Sequence, residues 1–548
     1  MPFLPISARM TGLFGMITAV GTASAAPEAI DPATAIACWQ QARAWVTDAS
    51  LPALGNPANG VEGVHVVLRH GRRPIATALA TKWNNQTPPL QTAVGKVLSK
   101  ALHSDMLRGL GSDLQKTSLA SLALEVEVAG PLSPITSPSL REAAQELHPA
   151  LDGLALRVGR RWEVRFPSYL RLTGDGATLT ELESLAMAVQ LTPAQLDAAR
   201  RRGQATLYRF QTIDLVERWP NGPVELFVRG EESAPIDVTQ DSLVALGDRV
   251  AQRLARQRVV PENTSGDDTP FLQGDYDAAA GRHNMVAAPD RDHYLAAIAL
   301  QRWLTARGER DVVLEEAMHD FATQPDAASR EQPIDLAMQS VARVEGLNQT
   351  DTVDPEALQS VVLDRTLNLT TRSIAAWGLH DHPEVIATLL NDAASAEPTA
   401  LFNALPWLGW VDQRHAASTG TGMVLGSPWS KIEHMLIDRQ RHGGPLGGAL
   451  AVKGDTASIS AHMLRPLTFY VGWTNQSAPW THHAMAFVST LIVPSDDQLM
   501  RGEDAPDGIR MAPWDERMPI WAQAFTLLCL SEALANESDG PGLEATTP

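Results

Sequence analysis

Cysteine is almost absent from this chain, since Cys38 and Cys529 are the only two in 548 residues. A framework of several disulfides, on which many small exported domains depend, is therefore excluded. The two cysteines lie far apart, and both fall in patterns typical of helices. They could form one bridge in an oxidising compartment, but the pattern favours two buried, small apolar residues.

Positive charge is also scarce. The chain has 44 Lys and Arg residues against 63 Asp and Glu residues, which leaves a net charge of -19. A surface of this sign repels nucleic acid and anionic membranes. Neither is therefore expected as a partner.

Apolar runs long enough to span a bilayer are missing beyond the N-terminus. The first residues, MPFLPISARMTGLFGMITAVGTASAAP, contain one Arg, a short apolar stretch and a small-x-small site at Ala23-Ser24-Ala25. These features predict a secretory signal peptide over residues 1–25. We therefore expect a secreted or periplasmic protein with no membrane insertion after signal cleavage.

The length of 548 residues exceeds what one hydrophobic core usually supports, so two domains are expected. Residues 33–49 have the spacing of an amphipathic helix, and VHVVLRHGRR predicts a strand that ends in a turn at Gly71. In Leu124–Val128 apolar residues alternate with Glu125 and Glu127, which predicts a half-exposed strand. Separated strands and helices up to residue 217 favour an α+β domain.

Residues 33–217 resemble the AMMECR domain, the family of the AMME syndrome candidate gene 1 protein. The resemblance rests on the order of GVHVVLRHGRR, LALEVEVAGPLSPI, LDGLALRVGRR and a terminal LYRF strand. It implies an α+β fold whose biochemical role is unsettled.

One departure from that family bears on function. The family carries Leu-Arg-Gly-Cys-Ile-Gly after its first strand and turn, and the resemblance makes that Cys the natural nucleophile. Ala76 stands at the corresponding place in this chain. Because a methyl group cannot attack a substrate, we expect a binding or structural module rather than retained catalysis.

The stretch Arg69-His70-Gly71 also resembles the histidine phosphatases, in which arginines hold a phosphate beside a nucleophilic His. However, Pro74 follows Arg73 directly, one residue earlier than in the acid phosphatase pattern. The segments that follow also differ from that family's order. A solvated basic turn is therefore favoured for Arg69, His70 and Arg73, and a phosphate ligand there is the alternative.

Residues 218–290 are predicted to be a connector with one helix at Ser242–Gln257. From 291 to 536 the sequence shows successive helical patterns, near 333–344, 355–366, 383–394, 399–408, 430–441, 463–472, 482–492 and 517–535. Paired helices with hardly a strand among them predict an all-α domain of helical hairpins, an α/α-toroid. The segment MAPWDERMPIWAQAFTLLCLSEAL is similar to the closing helix of terpenoid cyclase-like toroids. Residues 537–548 form a tail predicted to be disordered.

The chemistry of the enzymes with toroid folds is not carried over. The chain lacks the Asp-x-Asp-Asp box of terpene cyclases and an evident Asp, Cys and His zinc set. We therefore predict no metal and no cofactor.

Tryptophan gives the best indication of a ligand, because nine of the 14 Trp lie beyond residue 290. Indoles suit both core packing and stacking on sugar rings. Core packing is expected for most of them. Trp407, Trp429, Trp480 and Trp514 lie near helix ends or loops, where a toroid cavity would open, and are the predicted ligand wall.

Three polar positions near these indoles are candidates for catalysis: Asp412, His482 and Asp515. Carboxylates could supply the acid and base of glycan cleavage, and a His could abstract a proton. Nothing in the sequence fixes the distances between them. Capping and ordinary hydrogen bonding are the alternative roles.

The sequence thus predicts an exported two-domain protein that binds an extracytoplasmic ligand, a carbohydrate or envelope polymer, in the toroid cavity. Whether it is an enzyme stays open. The alternative is a glycan hydrolase or lyase that uses the toroid carboxylates and histidines. A histidine phosphatase is the third hypothesis, and a protein partner is also open.

Overall fold

A computed structural model describes most of the chain between residues 30 and 538. Its gaps are 51–59, 72, 86–87, 109–110, 148–150, 170–177, 218, 229–238, 261–269, 278–281, 285–286, 324–331, 348–352, 380–381, 397, 421–436, 438–439, 441–447, 450–478, 493–507 and 512–516. The predicted signal peptide and helix near 463–472 lie outside the described residues, as does the tail from residue 539. Of the predicted helix near 430–441, only residues 437 and 440 are described.

The chain forms a mixed α/β region followed by a mostly helical region. The strands of the first region are β1 (Gly63–His70), β2 (Arg73–Thr81), β3 (Ala123–Ala129), β4 (Ser133–Pro134), β5 (Gly153–Val158), β6 (Arg161–Arg165), β7 (Ala205–Phe210), β8 (Thr212–Glu217) and β9 (Val224–Val228). Its helices are α1 (Pro32–Thr47), α2 (Pro89–Leu102), α3 (Ser112–Ala120), α4 (Leu140–Glu146), α5 (Thr178–Ala188) and α6 (Pro193–Arg201).

Two antiparallel sheets organise the mixed region. One has five strands in the order β2-β1-β3-β8-β9, and the other has four in the order β4-β7-β5-β6. Alternate residues of β1, namely Val64, Val66 and Leu68, belong to a core shared with α1 and α2. The opposite face of the larger sheet meets the smaller sheet, where Phe166 and Phe210 pack at a ring distance of 5.3 Å.

Local signals in the sequence set several boundaries. The β1–β2 turn places Gly71 at a φ of 55°, a backbone conformation that glycine adopts at little cost. Thr192 and Gln195 form a reciprocal capping box that starts α6. The predicted helix at 33–49 is confirmed, as α1.

The second region contains α7 (Gln240–Arg256), α8 (Asp290–Arg307), α9 (Val312–Thr323), α10 (Pro333–Val344), α11 (Pro355–Leu363), α12 (Leu369–Gly378), α13 (Pro383–Ala394), α14 (Pro398–Thr419), α15 (Pro479–Thr490) and α16 (Ile520–Ser538). Its strands are two residues long: β10 (Arg258–Val259), β11 (Phe271–Leu272), β12 (Tyr276–Asp277), β13 (Arg282–His283) and β14 (Arg517–Met518). No helix among the described residues is long and apolar enough to cross a membrane.

Helix α8 lies at the centre of the helical core, where it packs against α9, α10 and α16. It ends at Gly308, which has a φ of 61°. Helix α7, in the segment predicted to be a connector, also packs against α16. Trp303 of α8 is fully buried, and its indole N–H donates to Asp248 of α7 at 3.1 Å.

Both cysteines are buried and they do not form a disulfide with each other, which confirms the prediction of two buried, small apolar residues. Burial raises the pKa of the Cys38 thiol to about 11. Cys38 is therefore a thiol at neutral pH and not a reactive thiolate.

We expect Gly247→Ala to destabilise the helical region. A Cβ at Gly247 would lie 2.1 Å from the Trp303 ring, so α7 and α8 would have to separate. Overpacking of this kind costs about 1–3 kcal/mol. Gly95→Ala is the matched control, because a Cβ there meets nothing within 4 Å. The control should instead stabilise its helix by about 1 kcal/mol in urea unfolding, and equal effects would contradict this packing.

His293 should make stability depend on pH. Burial lowers its pKa from 6.5 to about 4. Between these values the unfolded chain binds a proton that the folded chain does not, so stability falls as the pH drops from 6.5 towards 4. Urea unfolding at pH 7 and pH 5 should show a loss about 2 kcal/mol larger for the wild type than for His293→Gln. Equal losses in both proteins would contradict the burial of a neutral imidazole.

Candidate functional site

The acidic residues of β3 are buried, and not half-exposed as the alternation predicts. Glu125 is 1% exposed and Glu127 is 0% exposed. The prediction is wrong because β3 is the central strand of five, and the smaller sheet covers part of the face that carries the carboxylates. A buried carboxylate needs hydrogen bonds or a counter-charge.

Hydroxyl groups from two directions satisfy Glu127. Thr212 on the neighbouring strand β8 donates to Oε1 at 2.8 Å. Ser168, which follows β6 in the chain, donates to Oε2 through its Oγ at 2.5 Å and through its backbone N–H at 3.3 Å. Glu127 therefore connects the two sheets.

His65 on β1 extends this network towards the surface. Its Nδ1 lies 3.0 Å from Ser168 Oγ, and its Nε2 lies 2.7 Å from Thr77 Oγ1 on β2. The Phe166 ring packs against the imidazole at a centroid distance of 5.7 Å. His65 is buried, whereas Thr77 is exposed. A chain of hydrogen bonds thus links the buried carboxylate of Glu127 to a hydroxyl at the surface.

Sequence reasoning missed His65, Thr77, Ser168 and Glu127 as site residues. The period of β1 and β3 indicates which side chains share a face, but it does not show which of them meet. Ser168 lies 41 residues beyond Glu127 and 103 beyond His65.

The predicted basic turn divides into two environments. Arg69 is buried, and its Nε and Nη2 donate to Glu125 Oε2 at 3.1 and 2.8 Å. His70 and Arg73 are exposed. The expectation of a solvated turn therefore holds for His70 and Arg73 and fails for Arg69, whose guanidinium is committed to a carboxylate.

Trp407 of the predicted ligand wall lies in an aromatic cluster. It is 4% exposed, and its ring lies 5.3 Å from that of Trp377 and 5.4 Å from that of Trp410. Phe525 of α16 completes the cluster at 6.3 Å. This is the packing role that the sequence left open for the indoles.

The structure describes the side chains of two other predicted residues in the helical region. Asp412 is buried on α14, and His482 is half-buried on α15. Trp429, Trp514 and Asp515 lie outside the described residues, as does the side chain of Trp480.

Charged side chains surround the outer edge of the aromatic cluster. The guanidinium groups of Arg302 and Arg414 lie 5.1 and 5.5 Å from the Trp377 ring centroid. Arg302 also pairs with Glu345 at 2.8 Å and with Glu532. Burial raises the pKa of Glu532, and Arg302 opposes this rise. These groups neutralise one another around a packed indole.

A cleft of about 380 Å³ opens where the ends of α10, α11 and α12 meet. It is lined by Ser340, Arg343, Val344, Val353, Pro355, Leu358, Gly378, Leu379 and His382. None of these residues was predicted from the sequence. They come from the ends of α10, α11 and α12 and from the residue that precedes α13, so sequence spacing alone could not bring them together.

Three polar side chains define the chemistry of the cleft. Arg343 is exposed at the end of α10, and His382 is half-buried, with its Nδ1 3.2 Å from Gln359 Nε2. Ser340 is 3% exposed and lies in the wall of the cleft. A Cβ at Gly378 would lie 1.9 Å from Ser340 Oγ, so glycine makes room for this hydroxyl.

Within the described part of the chain, no group of three or more His, Cys, Asp or Glu residues could hold a metal ion.

Comparisons with known proteins add little. No family model matches the sequence, and no curated protein matches it. Among solved structures, the crystal structure of an uncharacterized protein from Pyrococcus horikoshii aligns with 16% identity over 36% of this chain and 98% of that chain, with a TM-score of 0.26. A likeness this weak supports no conclusion about fold or activity.

Trp407→Ala should test whether this indole packs the core. The substitution removes a large buried ring, which costs about 3–5 kcal/mol of stability. Trp219→Ala is the control, because Trp219 is 47% exposed. Thermal unfolding should show a large fall in midpoint for the first variant and little change for the second. A Trp407→Ala protein as stable as the wild type would contradict the packing role.

Proposed function

We propose that this chain is an exported two-domain protein whose helical region binds a small anionic ligand in the cleft between α10, α11 and α12. The observation that carries the proposal is that three side chains able to donate hydrogen bonds, Ser340, Arg343 and His382, line one cleft, where Gly378 leaves room for the Ser340 hydroxyl.

The size of the cleft suits a small molecule. Its volume of about 380 Å³ lies at the lower end of the range of roughly 300–1,000 Å³ that is typical of ligand sites. The protein itself is strongly acidic, with a net charge of -19. A cleft that presents Arg343 is therefore a local exception to the overall charge.

The lining residues divide into two groups. Five of the nine lining residues are apolar: Val344, Val353, Pro355, Leu358 and Leu379. Ser340, Arg343 and His382 can donate hydrogen bonds to a carboxylate or phosphate. This combination favours a ligand with one anionic end and a short apolar body.

The carbohydrate hypothesis takes a narrower form in this cleft. Its lining residues include no Trp, Tyr or Phe on which a neutral sugar ring could stack. Among envelope glycans, acidic sugars fit the charge of the site better than neutral ones. The catalytic alternative gains nothing from Asp412, which is buried on α14.

We also propose an architecture for each of the two domains. Two antiparallel sheets with helices on one face support an AMMECR-like first domain. A series of packed helices, α16, α8, α10, α12 and α14, with α9, α11 and α13 against it, supports an α/α-toroid.

Binding should depend on the cationic side of the cleft. Isothermal titration of the full chain with succinate, glucuronate and inorganic phosphate should give a measurable affinity for at least one of them, and none for glucose. Loss of one charged hydrogen bond weakens binding by roughly 10- to 100-fold, so Arg343→Gln should show that loss. Gly378→Ala should also weaken binding, because its methyl group would displace Ser340.

Arg202→Gln is the matched control, since Arg202 is exposed at the end of α6 in the other region. It should bind like the wild type. The proposal is wrong if none of the three anions binds, or if Arg343→Gln and Arg202→Gln bind equally well.

A further inference from the structure

The hydrogen-bonded chain on the five-stranded sheet contains the parts of a nucleophilic site. We propose that Thr77 is the nucleophile of an acyl-transfer site that hydrolyses carboxylic esters, with His65 as its base. Ser168 and Glu127 are positioning residues that hold the imidazole. This site lies in the mixed region and does not depend on ligand binding in the helical cleft.

The distance and exposure of Thr77 suit this role. Its Oγ1 lies 2.7 Å from His65 Nε2, within the range of about 2.6–3.2 Å in which a base can accept the proton of a nucleophile. Thr77 is exposed on β2, which is an edge strand of its sheet. A substrate can therefore reach the hydroxyl while the imidazole stays buried.

The network also fixes the direction of each hydrogen bond. An ionised carboxylate only accepts, so the hydroxyl proton of Ser168 is donated to Glu127 Oε2. Ser168 Oγ must then accept from His65 Nδ1, which therefore carries the proton of the neutral ring. His65 Nε2 then carries no proton and accepts from Thr77. His65 needs this tautomer in order to accept the proton of Thr77.

Packing holds the imidazole in this orientation. The ring is buried against Phe166, and hydrogen bonds are made at both of its nitrogens. His65 Nδ1 lies 3.9 Å from Glu127 Oε2, which is too far for a direct hydrogen bond. The Ser168 hydroxyl therefore links the carboxylate to the ring. A base oriented by a third group is the arrangement that activates a hydroxyl nucleophile.

A cation lies at the same position on the edge strand. The ammonium group of Lys100 on α2 donates to the backbone carbonyl of Thr77 at 2.8 Å. This hydrogen bond holds the backbone of β2 at the residue that carries the hydroxyl.

The reaction proceeds in two balanced steps. Thr77 Oγ1 bonds to the acyl carbon of the ester as its proton passes to His65 Nε2, and the alcohol leaves with that proton when the C–O bond breaks. Water then attacks the acyl-threonine, His65 takes one of its protons and returns it to Thr77 Oγ1, and the carboxylic acid is released. Ester and water are consumed, and acid and alcohol are formed.

The test uses p-nitrophenyl acetate as the probe and the full chain as the protein. The wild type should release a burst of about one equivalent of nitrophenolate, and mass spectrometry of the digest should find an acetyl group on Thr77. Thr77→Val should lose both the burst and the adduct, a fall of at least about 100-fold in acylation rate. Thr77→Ser should retain them, and Thr180→Val, at an exposed threonine on α5, should resemble the wild type.

The positioning role has its own variant. In Glu127→Gln the amide can donate to Ser168, which frees the serine proton for His65 Nδ1 and leaves Nε2 protonated. Acylation should slow by about 100-fold, while the probe concentration that gives half the maximal burst rate stays unchanged. If Glu127 only supported the fold, the substitution would change the acylation rate and this probe concentration together.

The proposal is overturned if the wild type shows no burst and no acetyl group on Thr77. It is also overturned if Thr77→Val acylates as fast as the wild type, or if the adduct lies on other residues alone. Circular dichroism of each variant establishes that its fold is intact. Because the Val side chain is nearly isosteric and position 77 is exposed, Thr77→Val should fold normally.

Discussion

The burial of the Glu127 carboxylate is the constraint on which the mixed region depends. A charge without partners in the interior is strongly unfavourable, so hydrogen-bond donors must surround it. Here they come from β8 through Thr212 and from the chain beyond β6 through Ser168, and His65 supports Ser168 from β1. Each donor belongs to a different segment. The placement of one sheet on the other therefore follows from satisfying this single group.

Arginine side chains also neutralise buried carboxylates in the mixed region. Arg69 neutralises Glu125, and Arg43 of α1 lies 3.2 Å from Glu217 at the end of β8. Burial raises the pKa of Glu217, and Arg43 acts against this rise. The helical region instead depends mainly on apolar packing, with the charged groups around Trp377 at its edge. Its cleft, by contrast, is lined by the polar side chains of Ser340, Arg343 and His382.

Local signals predicted much of the fold. The capping box that starts α6, the glycine that ends α8 and the period of β1 can be read from a few neighbouring residues. Alternation on β3 was misleading, because it reports which side chains share a face and not what covers that face. The sequence drew attention to Ala76, in place of the AMMECR family's Cys, and Ala76 is buried towards the helices. Thr77, the next residue, points to the opposite face of the strand, where His65 lies. The cleft could not be predicted, since Ser340 and His382 are brought together only by packing.

The most direct measurement is the nitrogen-15 spectrum of the histidine rings in the full chain, with His65 assigned by comparison with His65→Gln. If Glu127 is buried as an ionised acceptor, the neutral His65 ring carries its proton on Nδ1, and Nε2 has the shift of an unprotonated nitrogen. The proton should move to Nε2 in Glu127→Gln. A wild-type ring protonated on Nε2, or the same tautomer in both proteins, would contradict the arrangement of hydrogen bonds described for this sheet.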